Sequence, residues 1–185
     1  MIITIDGPAG SGKTTIARRL AKKINFSFLE TGAMYRAITY AVLKNNIDIS
    51  NDDELKTLLE GFSFHSNDFE GETSYYANDK DVTKAIRSRE ITQNVSDVSA
   101  HPMVREYLLI LQRKEGQKGN IVTEGRDMGS VVFPDAKVKF FLSATSEIRA
   151  QRRHKELQEK KIEPLPSLEE LLNEILLRDH IDSTR

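Results

Sequence analysis

Residues 2–15 of this chain, IITIDGPAGSGKTT, decide its fold. Residues 2–5 are a short, mostly β-branched apolar run, which predicts a buried strand. Residues 7–14 then read G-x-x-x-x-G-K-T, the phosphate-binding loop. Apolar residues recur at helical spacing over residues 16–24, so strand, loop and helix follow in the order that this motif requires. The stretch therefore predicts a nucleoside triphosphate site on an α/β fold.

The loop binds phosphate by simple electrostatics. Its backbone N–H groups point inward at phosphate oxygens, and the positive end of the following helix adds to that field. Lys13 supplies a full charge near the β and γ phosphates, and Thr14 supplies a hydroxyl for a magnesium ion. The motif does not identify the group that receives the phosphate.

Composition narrows the class of protein. The chain has 185 residues with a formal net charge of −1, enough for one α/β domain with a small insertion. The near-neutral charge argues against a nucleic-acid-binding protein, and the absence of cysteine excludes disulfides and thiolate metal sites. No apolar run approaches the length of a membrane span. The N-terminus enters a strand directly, without a signal-peptide pattern, so we expect a cytoplasmic protein.

The rest of the chain alternates between predicted strands and helices. After the loop the pattern predicts a strand at 26–29, a break at 30–32, helices over 33–42 and 50–59, and an antiparallel insertion at 62–82. Helices at 88–100 and 102–116, strands at 121–123 and 138–142, and helices at 145–161 and 168–182 follow. Asn78 and Asp79 predict a hairpin turn, and Ser167 with Glu170 predicts a capping box.

Arginines are expected if the acceptor itself carries a phosphate. Two clustered polyanions repel each other unless the site neutralises them. Arg149, Arg152 and Arg153 share one helix face. They fit either a lid that closes over phosphates or a solvated face, whose partners would be Glu147, Glu156 and Glu159.

Two further arginine groups allow two interpretations each. Arg178, Asp182 and Arg185 share a helix face, which fits a phosphate site or a surface ion-pair ladder. Arg126 and Asp127 follow the end of a strand, where ligands bind in open α/β sheets, but an ordinary polar turn fits equally well.

Three other polar residues have weaker local signals. Arg36 lies at the start of a helix that follows the second strand, so it could face the same crevice. Ser96 and Arg105 show no pattern of their own.

Taken together, these residues identify a family. The chain resembles the bacterial cytidylate kinases, which are nucleoside monophosphate kinases, over residues 2–185. The landmarks are the loop with residues 4–8, TIDGP; residues 31–36, TGAMYR; residues 125–129, GRDMG; residues 132–136, VFPDA; residues 149–153, RAQRR; and Arg178-Asp179 through Asp182 to Arg185. The resemblance implies phosphorylation of CMP or dCMP by ATP with Mg²⁺.

The resemblance also implies an architecture. The expected fold is α/β, a three-layer P-loop NTPase with a central parallel sheet flanked by helices. Residues 1–30 and 101–185 would form the core, with a helical lid at about 149–166. Residues 31–100 would form a small monophosphate-binding insertion of antiparallel sheet and helix.

Site roles carry over by motif position. The ATP phosphates would be held by Gly7, Pro8, Ala9, Gly10, Ser11, Gly12, Lys13, Thr14 and Thr15, with Thr14 on the metal. CMP would be bound by Thr31, Tyr35, Arg36, Ser96, Arg105, Arg126, Asp127, Arg178, Asp182 and Arg185. Lys13, Arg126, Arg149, Arg153 and Arg185 would be catalytic, and Arg149, Arg152 and Arg153 would belong to the lid.

Within that set, Ser96, Arg105 and Asp127 would read the cytosine. Cytosine offers an exocyclic amine to a carboxylate and two acceptors to arginine or hydroxyl donors. Uracil would turn an oxygen toward Asp127 instead and leave a carboxylate unpaired, at a cost on the order of 1–3 kcal/mol.

The chain departs from the family pattern in two places. Thr31 stands where serine is frequent, which keeps a hydroxyl. Family members usually continue beyond the position of Arg185 with a strand and a helix that complete the sheet and the adenine pocket.

Other functions remain as rivals. A P-loop kinase for UMP or a non-nucleotide acceptor would share most of these features. A GTPase-like switch would need an Asn-Lys-x-Asp string, which the sequence lacks. The expected partners are therefore small nucleotides bound by a monomer, with no nucleic acid and no membrane.

Overall fold

The computed structural model describes residues 1–69 and 72–184. The chain forms two compact units, one of residues 1–29 with the chain from 115 onward and one of residues 30–114. The second boundary lies later than the 100/101 boundary expected above. The functional division into core and insertion stays a prediction.

Strands and helices alternate along the chain. The strands are β1 Ile2–Asp6, β2 Ser27–Glu30, β3 Phe64–Phe69, β4 Glu72–Ala77, β5 Lys80–Asp81, β6 Ile121–Gly125 and β7 Val138–Phe141. The helices are α1 Lys13–Ile24, α2 Thr31–Lys44, α3 Asp52–Glu60, α4 Arg89–Ala100, α5 Pro102–Gln117, α6 Ser146–Glu159 and α7 Leu168–Thr184. A 3₁₀ turn covers Ala85–Arg87 and a π-helical turn covers Met128–Val132.

The first unit is built on a parallel sheet. In the described residues this sheet has four strands in the order β2-β6-β1-β7. Strand β1 pairs with β6 from Ile2 opposite Ile121 to Asp6 opposite Gly125, and with β7 on its other side. The carboxyl ends of β1 and β6 therefore lie side by side, and the phosphate-binding loop follows the first of them. The predicted α/β architecture with a central parallel sheet is confirmed.

Apolar residues of β1 and α1 form the core beneath this loop. Ile3 and Ile5 are buried against Ala17, Ala21 and Val122. Because small alanines face the sheet, helix α1 packs close to it. A second cluster joins α6 to α7 through Ala150, Leu171 and Ile175.

The cap of α7 has the predicted form. The Ser167 backbone N–H donates to Glu170 Oε2 at 2.7 Å, and the Glu170 N–H donates to Ser167 Oγ at 3.1 Å. This is a reciprocal capping box, as the sequence predicted.

The second unit contains a small antiparallel sheet. Its described strands run in the order β3-β4-β5. Ala77 pairs with Lys80 across Asn78 and Asp79, whose φ angles are 47° and 62°. Two left-handed residues make the tight hairpin turn that suits the twist of the strands. The predicted turn and antiparallel insertion are confirmed.

The structure differs from the sequence prediction at two strand ends. Residues 30–32 were expected to lie between the strand and the next helix, but Glu30 ends β2 and α2 begins at Thr31. Glu124 and Gly125 were expected after a strand, but both belong to β6 and are buried. Neighbouring strands extend these segments, which a local pattern does not show.

The π-helical turn after β6 was not predicted. The buried Asp6 carboxylate accepts the N–H groups of Met128 at 2.9 Å and Gly129 at 2.8 Å. A Cβ on Gly129 would lie 2.8 Å from Thr4 Oγ1, so only glycine allows this close approach. The turn thereby fixes the chain directly after Arg126 and Asp127.

No helix in the part of the chain that the structure describes combines the length and the apolar character needed to cross a bilayer.

Candidate active site

The loop between β1 and α1 is held tightly against the sheet. Gly7 has a φ of 153°, and a Cβ there would lie 2.1 Å from the backbone oxygen of Leu142. No side chain fits that space, which explains the glycine at the start of the motif. The loop ends where α1 begins, so the free N–H groups of the first helical turn lie at the site.

Lys13 is the first residue of α1 and is buried, with 6% of its surface exposed. Its ammonium donates to Pro8 O at 3.1 Å and lies 3.7 Å from Glu124 Oε2. Burial, together with the positive charges of Arg126 and Arg178, lowers the pKa of Lys13 to about 8, against the opposing effects of Glu124 and Asp182.

Thr14 lies on the same turn and contacts the same carboxylate. Its Oγ1 donates to Glu124 Oε1 at 3.1 Å. Glu124 thus joins the lysine and the hydroxyl that the motif assigns to phosphate and magnesium. The Thr14 hydroxyl and the Glu124 carboxylate thus place oxygen atoms side by side, and Mg²⁺ prefers oxygen ligands.

Two arginines of the predicted acceptor site lie within electrostatic reach of Lys13, namely Arg126 and Arg178. Arg126 follows β6, and its Nε donates to Asp182 Oδ2 at 2.7 Å. Arg178 and Asp182 are four residues apart on α7. The structure therefore brings three cations, Lys13, Arg126 and Arg178, together with one carboxylate, Asp182. These four residues are called the cation cluster below.

Asp127 directly follows Arg126 and begins the π-helical turn. Its backbone oxygen accepts the N–H groups of Val131 at 2.8 Å and Val132 at 3.2 Å. Its charge also raises the pKa of Asp6, although burial of the Asp6 carboxyl is the larger cause of that shift. Asp127 therefore lies between Arg126 of the cation cluster and the π-helical turn.

Arg149 of α6 is buried, with 4% of its surface exposed. Its guanidinium donates to Ala9 O at 3.2 Å, to Ala144 O at 3.0 Å and to both oxygens of Asp179. Arg149 therefore does not lie on a solvated helix face. It contacts the phosphate-binding loop directly.

The other two arginines of that stripe differ from each other. Arg152 Nη1 donates to Ser11 O at 3.1 Å, which is a second contact with the loop. Arg153 Nη1 donates to Glu156 Oε2 at 2.9 Å, the pairing expected of a helix surface. Arg152 therefore contacts the loop while Arg153 makes a helix-surface pair, and the role of the stripe as a lid stays a prediction.

The remaining described residues predicted to bind CMP belong to the second unit. Thr31 is buried at the first turn of α2, and Tyr35 and Arg36 follow on the same helix. Arg36 Nη1 donates to Ile86 O at 3.1 Å and to Thr92 Oγ1 at 2.9 Å.

The two base-reading candidates of this unit lie on successive helices. Ser96 follows Thr92 by one turn of α4, so it shares a face with the hydroxyl that Arg36 contacts. Arg105 lies on α5 and is partly exposed. Arg185 lies outside the described residues.

Two carboxylates of the site were not predicted from the sequence. Glu124 follows the apolar run at 121–122, so an acidic residue at the end of a buried strand was the available signal. Asp179 pairs with Arg149 across 30 positions, and no local pattern announces that pair.

The site can bind a strongly anionic ligand. A helix N-terminus, a buried lysine and two arginines present positive charge, while carboxylates orient part of it. In the described residues there is no grouping of three histidine, aspartate or glutamate side chains that could hold a metal ion by themselves. A divalent ion here would share its ligands with the bound phosphates, as Mg²⁺ commonly does.

The chain is similar to known proteins over nearly all of its length. The family model described as cytidylate kinase matches residues 3–185. A cytidylate kinase of Protochlamydia amoebophila is 49% identical over 187 residues, which cover all of this chain and 82% of the relative. That of Carboxydothermus hydrogenoformans is 49% identical over 185 residues, with the same coverage. That of Clostridioides difficile is 44% identical over 185 residues, covering all of this chain and 83% of the relative.

Proposed function

The chain belongs to the cytidylate kinase family, and from this premise we propose that it transfers the γ-phosphoryl group of ATP to CMP or dCMP. The products are ADP and CDP or dCDP. The observation that carries the proposal is the cation cluster beside the phosphate-binding loop, in which the pKa of Lys13 falls to about 8. Clustered positive charge of this kind is stabilised by a polyphosphate.

On the donor side, residues 7–15 hold the ATP phosphates. The backbone N–H groups and the start of α1 surround the β and γ phosphates. Lys13 stabilises the negative charge that develops on the transferred phosphoryl group. Because phosphoryl transfer depends mainly on positioning and charge stabilisation, a buried ammonium at this place lowers the barrier.

The residues fit Mg²⁺ at one place. Thr14 Oγ1 and the Glu124 carboxylate are oxygen ligands in contact with each other, and they would hold the ion. When bound, Mg²⁺ neutralises charge on the β and γ phosphates.

On the acceptor side, arginines hold the phosphate of CMP. Arg36, Arg126 and Arg185 grip this phosphate, and Arg178 with Asp182 contacts the sugar or lines the phosphate site. Thr31 and Tyr35 complete the wall. The Arg126–Asp182 pair supports this assignment because it holds the guanidinium in one orientation before the ligand arrives.

The base is read by Ser96, Arg105 and Asp127. A carboxylate accepts the exocyclic amine of cytosine, and the hydroxyl and guanidinium donate to its two acceptors. This arrangement favours cytidine over uridine.

Arg149, Arg152 and Arg153 belong to a lid of residues 149–166, with Arg149 and Arg153 acting on the transferred phosphate. The contacts of Arg149 and Arg152 with loop carbonyls support a position near the donor. Closure of such a lid excludes water and suppresses ATP hydrolysis. We further propose a monomer that works in the cytoplasm and binds no nucleic acid.

A coupled assay with ATP and a panel of acceptors tests the function. CMP and dCMP should be phosphorylated with the highest kcat/KM, followed at a distance by UMP, AMP and shikimate. Preference for any acceptor other than CMP or dCMP contradicts the proposed substrate.

A further inference from the structure

Glu30 is an unusual residue for its position. It ends β2, and only 3% of its side chain is exposed. Burying a carboxylate costs several kcal/mol unless partners replace its water. An apolar residue would fill this place at lower cost, so the charge itself needs an explanation.

Tyr75 and Arg87 are among the partners that replace this water. Tyr75 of β4 donates its hydroxyl to Glu30 Oε2 at 2.6 Å, and Arg87 Nη2 donates to Oε1 at 2.6 Å. The Arg87 guanidinium also lies 5.6 Å from the centre of the Tyr75 ring. Glu30 therefore ties the antiparallel sheet and the 3₁₀ turn Ala85–Arg87 to the start of α2.

The same 3₁₀ turn also orients Arg36. Ile86 is fully buried, and its backbone oxygen accepts from Arg36 Nη1. Ile86 and Arg87 are adjacent, so the ion pair that fixes Arg87 also fixes this acceptor. The Arg87 side chain is 42% exposed, whereas the Glu30 side chain is buried. If the Glu30 carboxylate were removed, water would not reach Arg87 from that side to replace the contact.

We propose that Glu30 is a positioning residue that acts through Arg87 and Ile86 on Arg36. Its carboxylate holds the turn in the one place where the Ile86 carbonyl aims the Arg36 guanidinium. The inference rests on the proposed function, in which Arg36 grips the phosphate of CMP. Glu30 touches neither nucleotide and sets the affinity for the acceptor alone.

Steady-state kinetics with CMP and ATP varied separately test this role. Glu30→Gln should raise the KM for CMP about tenfold, since the negative charge that holds the Arg87 guanidinium is lost and a charge-assisted hydrogen bond is weakened, while kcat and the KM for ATP stay within about twofold. Tyr75→Phe keeps the ion pair and should raise the KM for CMP only two- to threefold. Glu60→Gln makes the same chemical change at an exposed site of α3 and should leave all constants unchanged.

A double variant separates positioning from general support of the fold. In an Arg36→Ala background, Glu30→Gln should raise the KM for CMP no further, because the residue on which it acts is gone. Multiplicative effects overturn the inference, as does a Glu30→Gln enzyme whose kcat and two KM values change together. Should Glu30→Gln not fold, Arg87→Lys replaces it, with the same expected KM split and the same double-variant criterion.

The activity of the wild-type chain on CMP distinguishes failure of the proposed function from failure of this inference. A wild-type chain that does not phosphorylate CMP removes the proposed function and this inference with it. Wild-type activity on CMP combined with multiplicative variant effects removes the inference alone.

Discussion

The arginine and lysine side chains of the two units have different kinds of neighbours. In the first unit Lys13 lies within reach of Arg126 and Arg178, and its pKa falls to about 8. In the second unit Arg36 donates to a carbonyl and a hydroxyl, and Arg87 is held by a buried carboxylate. The first arrangement keeps positive charges close to one another and orients Arg126 through Asp182, whereas the contacts of the second orient guanidinium groups through a carbonyl, a hydroxyl and a carboxylate.

This difference has a physical meaning. Like charges held close together raise the energy of the empty site, and a polyphosphate recovers that energy on binding. An oriented guanidinium instead reduces the entropy lost when the ligand arrives. Substitutions at Lys13, Arg126 and Asp127, and a change of pH, test the first arrangement.

The largest effect is expected at Lys13. Lys13→Ala should lower kcat by about three orders of magnitude or more, because a buried charge on the transferred phosphate is lost. Single-turnover rates at saturating ATP and CMP measure this loss. Lys22→Ala, at an exposed position of the same helix, is the matched control and should keep wild-type rates. Near-normal turnover in Lys13→Ala would remove the cation cluster from the chemistry.

Arg126→Ala should lower kcat roughly 10³-fold, by analogy with single arginines that stabilise charge in phosphoryl transfer. The coupled kinase assay measures it. Arg19→Ala removes an exposed arginine from α1 and serves as the control. An Arg126→Ala enzyme with wild-type turnover contradicts its assignment to the site.

Asp127→Ala should reduce the preference for CMP over UMP on the order of 10- to 100-fold, because the carboxylate that accepts the cytosine amine is lost. The ratio of the two kcat/KM values is the measurement. Asp135→Ala removes an exposed carboxylate from the same region and should leave the ratio unchanged. An unchanged ratio in Asp127→Ala would favour a P-loop kinase for another acceptor.

The smallest effect concerns pH. The pKa of Lys13 is lowered to about 8 in the free protein, so the ammonium is charged below pH 8 and becomes neutral as the pH rises above it. Phosphate binds the charged form, and the Kd for ATP should therefore increase about tenfold between pH 7 and pH 9. Isothermal titration calorimetry across this range measures it. Lys13→Ala should bind ATP weakly and without this pH dependence.

Much of the fold could be predicted because its signals are local. The strand, loop and helix order around the motif, the capping box of Ser167 and Glu170, and the turn at Asn78-Asp79 each involve residues close in sequence, and all three are confirmed. The turn depends on two residues that tolerate positive φ. Such patterns are set by backbone geometry, which the sequence reports directly.

The pairing of charges could not be predicted in the same way. Thr14 contacts Glu124, Arg126 contacts Asp182 and Arg149 contacts Asp179, across 110, 56 and 30 positions. A buried carboxylate and an exposed one look alike in the sequence. Glu30 shows this clearly: the sequence placed it at the break that ends a predicted strand, while its burial and its contacts with Tyr75 and Arg87 appear only in the folded chain.

The pKa of the Lys13 ammonium tests the central claim most directly. Selective NMR labelling of the lysine side chains, assigned with Lys13→Ala, follows this group through a pH titration with and without ATP. The account predicts a pKa near 8 in the free protein and a higher pKa when ATP is bound, because phosphate charge then offsets burial and the neighbouring arginines. A pKa near 10.5 in the free protein, or one that ATP leaves unchanged, would contradict it.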